Sequence, residues 1–531
     1  MSVSAETDDG PEASAEQDAA STEIELKLIV PASRLAEMAS IPAIEHHARN
    51  EGSVNRLNTV YFDTPDRALW EAGFTLRVRS KGSAFTMTVK STAPARGGLL
   101  GRNEWEAPVP DMQPQIDALA SKLPKAFFAA IGAAPLEPMF SSEVRRRTRK
   151  LDLPGAAIEL AVDEGRIVAG EAREPICEIE LELEAGAASV LYDLALELVE
   201  HGPADLSVRS KAARGFDLAL GRPPAFVKAK KSTMHGRIAL DDAFAAMLLD
   251  ALLHFVTNKP AAIDGRQPEG VHQLRVALRR MRAILKLLGK LTGSPEAGAF
   301  ADEARWLAGE HGDAREWDVF LAETVPPVMA ACPQVIGFAD LQSAAERLRA
   351  AGHDRARAAL AERRAQRFQL RLARWIECRG WRAGLSGKAG AILAAPASKH
   401  ALTVLRRQHR KVRERGRHFD SLAPDARHEL RLAVKKLRYV SDFLLPLCAG
   451  GKRARRYAKA LSALQEGLGR YNDVAVTGVL LDRLAVPETP AAGHEACGAI
   501  RGWQARDLAD MEAGLRTLWG AFRAAGRPWS K

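Results

Sequence analysis

Carboxylates and cations alternate with apolar residues along short, strand-like segments, which places each charged set on one face. In EIELKL, Glu23, Glu25 and Lys27 share a face opposite Ile24, Leu26 and Leu28. In ICEIELELE, Glu178, Glu180, Glu182 and Glu184 line one face, with Ile179, Leu181 and Leu183 behind them. FTLRVRS pairs Arg77 with Arg79, FTMTVKS aligns Thr86, Thr88 and Lys90, and RNEWEAPV groups Arg102, Glu104 and Glu106. A wet sheet face usually mixes its signs, whereas here two strands carry almost only acid and others only base. A row of carboxylates repels itself unless a cation sits on it. Hard divalent ions such as Mg²⁺ take oxygen ligands and leave room for water and substrate phosphates. Facing arginines and lysines would take the remaining phosphate charge. The pattern points to a metal–polyphosphate site inside a barrel.

A second kind of charged face follows the helical period. His272, Arg275, Arg279, Arg282 and Lys286 fall within about 80° of one another on a helix. Leu274, Leu278, Met281, Leu285 and Leu288 take the other side. His428, Arg431, Lys435 and Arg438 repeat the stripe against Leu430, Val434, Leu437 and Leu444. Further stripes run through Arg364, Arg367, Arg371 and Arg374, and through Arg406, Arg410, Arg413 and Arg417. Solvated helix faces commonly pair Glu with Lys at i+4, and these stripes contain almost no acids. Like charges at that spacing need an anion to neutralise them. The two leading histidines suit phosphate donation; no carboxylate or second histidine at a ligand interval makes them metal ligands.

The elements that must carry these residues change character part-way along the 531-residue chain. Residues 1–20 read as a disordered acidic tail, and 21–222 as a domain of many short strands. Helical stretches interrupt it near Gln115–Ile131 and Ala188–His201, which favours an antiparallel barrel or curled sheet. The proline-rich, basic segment 223–236 reads as a linker, and 237–531 as an all-helical domain. VHQLRVALRRMR and RHELRLAVKKLR recur at an offset of 428 − 272 = 156, and Asp318 and Asp473 at 155, so the helical unit is duplicated. Residues 1–225 hold 24 basic and 35 acidic side chains, net −11; residues 226–531 hold 52 and 31, net +21. The second half therefore suits a polyanion. Aromatic residues are only 6% and no base-stacking platform is visible, so a specific nucleic-acid partner is not expected. The apolar run 243–256 is too short to span a bilayer, and no membrane partner is expected. Five scattered cysteines without a CxxC pair, and no secretory signal, make a reducing cytoplasm the expected compartment.

Glu23-Ile-Glu25-Leu-Lys27 resembles the ExExK signature of the CYTH family, the triphosphate tunnel metalloenzymes. Other features follow in that family's order: Tyr61-Phe-Asp63-Thr64, Arg77-Val-Arg79, Lys90, Arg102 with Glu104, Asp163, Glu178-Ile-Glu180 and Ser210-Lys211. The resemblance implies an eight-stranded antiparallel tunnel with a charged interior and helices outside, joined here to the all-α unit. It implies that Glu23, Glu25 and Lys27 are catalytic and that Glu23, Glu25, Asp163, Glu178 and Glu180 hold Mg²⁺ or Mn²⁺. Arg77, Arg79, Lys90, Lys211 and one arginine of Val144–Arg147, best matched by Arg146, would cradle a triphosphate. Glu182 reads as a residue of the tunnel mouth, and no general base is assigned.

The paired helices VHQLRVALRRMRA and RHELRLAVKKLRY resemble those of the CHAD domain, which commonly follows CYTH in one chain. That resemblance implies a duplicated helical bundle binding inorganic polyphosphate through His272, Arg275, Arg279, Arg280, Arg282, His428, Arg431, Lys435, Lys436 and Arg438. His311 stands where the second copy has Leu468 and is given no role; Asp318 and Asp473 are expected to cap or fix the arginine helices. The implied function is divalent-metal-dependent hydrolysis of inorganic triphosphate, with long-chain polyphosphate as partner of the helical half. Two alternatives stand beside it: a non-catalytic adaptor associated with polyphosphate granules, and a triphosphatase acting on an organic triphosphate.

Overall fold

The computed structural model describes residues 21–91, 98–230, 234–485 and 491–529, so the expected tail 1–20 lies outside it. The alternating segments of the first half are strands: β1 (Ser21–Ile29), β2 (Ser53–Asp63), β3 (Phe74–Lys81), β4 (Ala84–Ser91) and β5 (Leu99–Val109). The longest follow, β6 (Glu137–Leu153), β7 (Ala156–Ala169) and β8 (Ala172–Gly186), and then the short β9 (Asp205–Ser207). In the order β5-β4-β3-β2-β6-β7-β8-β1, with β1 returning to β5, eight antiparallel strands close a barrel. Closure removes the free edges that an open sheet would expose. β9 is an addition to the eight expected strands. It covers the end of the β1 edge that β5 leaves open, pairing Lys27 with Ser207 and Ile29 with Asp205.

Alternation sends the charged faces inward and the apolar ones outward. Leu26, Leu28, Ile158, Leu160, Ile179 and Leu181 are all fully buried on the outside of the barrel. They lie beneath α1 (Ala32–Met38) and α5 (Ser189–His201), against Leu35, Met38, Leu191, Leu194 and Leu198. Each such side chain stabilises the fold by roughly 1.5–3 kcal/mol. On the far side, α3 (Ala68–Glu71) and α4 (Lys125–Ile131) cover Leu76, Val78, Met87 and Val89, with Phe127 at the centre. The short helices α1, α2 (Pro42–His47), α3 and α6 (Lys211–Ala219) were not apparent from periodicity, because four to nine residues show too few turns.

Beyond residue 239 the chain is helical: α7 (Leu240–Asp264), α8 (Pro268–Thr292), α9 (Pro295–Glu310), α10 (Gly312–Val319), α11 (Val325–Ala331) and α12 (Phe338–Ala361). Then come α13 (Arg363–Glu377), α14 (Gly387–Ala394), α15 (Ala397–Arg415), α16 (Pro424–Cys448), α17 (Gly451–Leu484) and α18 (Ala491–Ala525). The duplicated helices α8 and α16 are each 25 residues long and each begin with proline, which suits the first helical position. None of the described helices is long and apolar enough to cross a membrane.

The two halves pack on each other through one continuous core. α13 lies along α5, where Arg374 pairs with Asp193 and Arg367 Nε with Glu200 Oε1 at 3.0 Å. Arg364 pairs with Glu303 at 2.8 Å and stacks 3.9 Å from the Trp306 ring centre. The 364–374 stripe is therefore not a free anion-binding row. Its counter-charges come from elements distant in sequence. The linker is docked at Val227, whose N–H donates to Asn258 Oδ1 at 2.9 Å.

Candidate active site and basic groove

The acidic strands bring three carboxylates together inside the barrel. β7 supplies Asp163 and β8 supplies Glu178 and Glu180; their nearest oxygens all lie within 4.8 Å of one another. Three cations are drawn onto them. Lys27 Nζ donates to Glu180 Oε1 at 2.5 Å and to Glu178 Oε1 at 3.2 Å, and lies 3.5 Å from Glu25 Oε1. Lys211 Nζ lies 2.6 Å from Asp163 Oδ2 and 3.0 Å from Glu180 Oε1, and also contacts Glu178. Arg146 forks onto Asp163 at 2.7 and 2.6 Å and reaches Glu180. Of the arginine run, Arg146 enters the tunnel while Arg145 stays outside, 3.9 Å from Glu164.

These contacts set the charge states. Burial works to raise Glu180, but Lys211, Lys27 and Arg146 hold it well below the usual carboxylate range. Asp163 is lowered in the same way, against burial, chiefly by Lys211 and Arg146. Burial would lower the Lys27 ammonium, yet Glu178, Glu180 and Glu25 hold it well above its ordinary value. Asp163 and Glu180 are thereby held as carboxylates and Lys27 as an ammonium near neutral pH.

Around the ring of strands, β3 stands opposite β8 and β4 opposite β7, so a basic wall faces the acidic one. Lys90 Nζ pairs with Glu104 Oε2 at 2.7 Å, and Arg77 donates to Glu104 Oε1 at 3.4 Å. Arg79 differs: its Nε donates to Thr59 Oγ1 at 3.3 Å, and among the described residues no carboxylate lies at ion-pair distance. Burial first, then repulsion from Arg77 and Arg146, lower its guanidinium to about 10. An arginine short of counter-charge is set to receive an anion. Arg79→Gln should therefore weaken triphosphate binding, with KM rising about tenfold or more and kcat changing less, as steady-state kinetics would show.

Several residues with a part in the tunnel were given no role from the sequence, although Tyr61 and Asp63 stand in a motif named there. Arg214 donates to Glu178 Oε2 at 3.3 Å and to Glu174 Oε1 at 2.6 Å; its i+3 spacing from Lys211 on α6 was the available signal. Tyr61 is buried beside Arg77, Arg79 and Lys211; burial raises its phenol, and these three cations outweigh it and lower it. Asp63 belongs to the frame, since it accepts from the N–H groups of Thr64, Leu69 and Trp70 at 2.7, 3.0 and 2.9 Å. Gly215 lets α6 seat on β6, because a Cβ there would lie 2.0 Å from the Phe140 ring. Glu23 pairs through its backbone with Arg102, but both side chains lie outside the described residues. Glu182 is half-buried and Glu184 is tied to Lys150 at 2.6 Å, away from the three clustered carboxylates.

In the helical half the two stripes converge where α8 meets α16. Burial, then Arg431, Arg279, Arg282 and Arg275, push the Lys435 ammonium below its ordinary value, so cations of both copies converge on it. Arg279 reaches over the Tyr439 ring, 4.8 Å from its centre. Among the described residues, Arg275, Arg279, Arg282, Arg431 and Lys435 have no carboxylate at ion-pair distance, while Arg438 pairs with Asp442. His428 and Arg431 line a cavity of about 590 Å³ with Arg427, Tyr471 and Asn472. Arg280 points away and pairs with Asp250 of α7 at 2.6 Å. Lys436 faces a separate basic group of Lys411, Lys290, Arg407 and Lys286. A further groove of about 810 Å³ joins Arg406, Arg407, Arg410 and Arg413 of α15 to Arg523 and Arg527.

Asp318 does not fix a stripe helix. It holds Arg349 of α12 at 2.6 Å and His353 at 3.1 Å, because α10 packs on α12. His311 is buried on the Leu307 carbonyl at 2.7 Å, and burial lowers it to about 4. His272 is half-buried; burial, then Arg315, Arg279 and Arg275 against Glu269, lower it from 6.5. A bound phosphate favours the protonated ring. On the reading that this stripe takes polyphosphate, affinity should therefore rise as pH falls through the histidine range, and His272→Gln should flatten part of that rise at constant ionic strength.

Comparison with known proteins accounts for both halves. The CYTH domain profile matches residues 21–216 and the CHAD domain profile matches residues 246–482. The chain is a CYTH domain followed by a CHAD domain. The chain is 31% identical over 198 residues to the inorganic triphosphatase of Haemophilus influenzae, covering 36% of this chain and 54% of that protein. The match thus spans about half that relative's length. An uncharacterized protein of Mycobacterium tuberculosis is 26% identical over 504 residues, 90% of this chain and 92% of its own. The solved CHAD domain of the plant Ricinus communis is 32% identical with a TM-score of 0.49, covering 57% of this chain and 98% of that one.

The CYTH tunnel's donors fit a hard divalent ion. Asp163, Glu178 and Glu180 offer only oxygen, and their close approach leaves room for one cation shared among them. Lys27, Lys211 and Arg146 occupy the same oxygens, so a metal would enter as these cations turn towards an incoming anion.

Proposed function

We propose that the CYTH tunnel hydrolyses inorganic triphosphate with Mg²⁺ or Mn²⁺, and that the CHAD groove binds long-chain polyphosphate. The observation that carries this reading is the buried Asp163–Glu178–Glu180 cluster facing Arg77, Arg79 and Lys90 across a closed barrel. The likeness to the Haemophilus inorganic triphosphatase supports the same substrate. In this reading Glu23, Glu25, Asp163, Glu178 and Glu180 hold the metal, which when bound neutralises phosphoryl charge and acidifies water. Arg77, Arg79 and Lys90 bind one end of the triphosphate. Lys27, Arg146 and Lys211 exchange their carboxylate partners for the oxygens of the transferring group. Water adds across one P–O–P bond, releasing phosphate and pyrophosphate. Positioning and charge neutralisation supply most of the catalysis, as is usual for phosphoryl transfer.

One observation favours a second reading. The tunnel acids are already matched by Lys27, Lys211, Arg146 and Arg214, as they would be in a non-catalytic adaptor whose polyphosphate binding resides in the CHAD half. Phosphate release from inorganic triphosphate, ATP, thiamine triphosphate and a 5′-triphosphorylated RNA, with Mg²⁺ and Mn²⁺ in turn, separates the cases. Inorganic triphosphate should be hydrolysed fastest. An organic triphosphate turned over faster would overturn the substrate, and no turnover at all would leave the adaptor.

A further inference from the structure

The CHAD half reaches the wall of the tunnel through one buried charge. Lys259, on α7, is 2% exposed. Its Nζ donates to Asp205 Oδ1 at 2.5 Å and to the Leu206 carbonyl at 2.8 Å, both in β9. Beside it, the Ala204 N–H donates to Gln366 Oε1 of α13 at 3.3 Å. The three-residue strand β9 is thus gripped by two helices of the other domain. A strand so short has little pairing energy of its own.

β9 stands next to the site in two ways. Its Ser207 pairs with Lys27, and on the other edge of β1 Lys27 pairs with Glu180. Past Ser207 the chain runs through Arg209 and Ser210 into α6, whose first residue is Lys211. Ser210 caps that helix by accepting from the Ala213 N–H at 3.1 Å. The two lysines that hold the acidic cluster therefore flank one strand anchored from outside the barrel. A lysine with almost no access to water is costly to bury unless it has a partner, and Asp205 is the only carboxylate at ion-pair distance among the described residues.

We propose that Lys259 is a positioning residue for the tunnel: it fixes β9, and through it the places of Lys27 and Lys211. The proposal rests on triphosphate being the tunnel's ligand. Lys259 touches neither the acidic cluster nor the basic wall, so its effect is carried entirely by the strand. When the anchor is lost, part of the binding energy of triphosphate must go into gathering the two lysines again. Affinity should suffer more than the rate of the bound complex.

The test uses the full chain with Lys259→Met, which keeps length and loses charge, and Asp205→Asn, which loses charge with almost no change of shape. Circular dichroism sets a working temperature at which both are folded. Calorimetric binding of inorganic triphosphate in EDTA should weaken at least tenfold in Lys259→Met and about threefold or more in Asp205→Asn. With metal, KM should rise accordingly while kcat changes less than threefold. Amides of 26–29 and 205–211 should exchange hydrogen faster than in the parent. Parent-like affinity in the folded variants overturns the proposal, even where the strand exchanges faster, because the strand would then not position the site. Should the parent bind triphosphate without hydrolysing it, the hydrolytic reading fails, and the binding constants still decide the role of Lys259.

Discussion

Glu180→Gln in the full chain is expected to lose phosphate release from inorganic triphosphate by roughly 10²–10³-fold, the scale of removing a principal charge-stabilising group. Glu180 is the carboxylate on which Lys27, Lys211 and Arg146 all converge. The amide keeps the shape but offers one neutral oxygen in place of a charged pair, so metal affinity and cation placement fall together. Four cations, Lys27, Lys211, Arg146 and Arg214, left around Asp163 and Glu178 should also lower the melting temperature, because a buried charge without its partner is costly. Glu184→Gln is the control. Its carboxylate is tied to Lys150 away from the cluster, and its loss should leave turnover within about twofold. Equal activity in Glu180→Gln and the parent, with both folded, would remove the site from the account.

The second large effect concerns the CHAD groove. Changing Arg275, Arg279, Arg431 and Lys435 together to Gln should weaken binding of long-chain polyphosphate by at least about 10³-fold near 150 mM salt. These four are half-buried and converge from the two repeats; Glu316 near Arg275 and Asp473 near Arg431 and Lys435 offset part of their field, but among the described residues no carboxylate reaches ion-pair distance. A linear polyanion entering the groove releases its condensed counterions, so parent affinity should fall steeply with salt. The variant's slope of log affinity against log salt should be shallower by roughly one unit per lost cation. Relieving the repulsion among them should leave the fold intact or slightly more stable. Duplex DNA should compete poorly, since its phosphates are fixed on a rigid helix while a flexible polyphosphate can follow the stripes. A variant that binds as the parent does, or DNA displacing polyphosphate, would place the binding surface elsewhere.

Period-two alternation separated the charged from the apolar face of β1, β3, β4 and β8, because a strand's faces follow from its pleat, and the segregation of sign between strands pointed the charged faces inward. It did not reveal β6, where RRRTRK offers no apolar face, yet this strand carries Arg146. Nor could alternation show which inward charge meets which. Lys27, read as catalytic, and Lys211, read as a triphosphate ligand, are found on carboxylates 151 and 33 residues away. The helical stripes show the same limit. The 275–282 and 364–374 rows look alike in sequence, and only the fold gives the second row its acids from α5 and α9. Lys259 was invisible for the complementary reason. A single lysine on a long apolar helix has no pattern until its partner strand is placed against it.

The central claim is that the buried carboxylates work through a divalent cation on a bare triphosphate. The most direct measurement is phosphate release from inorganic triphosphate by the full chain, first in EDTA and then during titration with Mg²⁺ or Mn²⁺. Release should be undetectable in EDTA, rise saturably with either metal, and be lower by roughly 10²–10³-fold in Glu180→Gln at the metal concentration that saturates the parent. Full release in EDTA, or a metal-dependent rate that Glu180→Gln leaves unchanged, would contradict it.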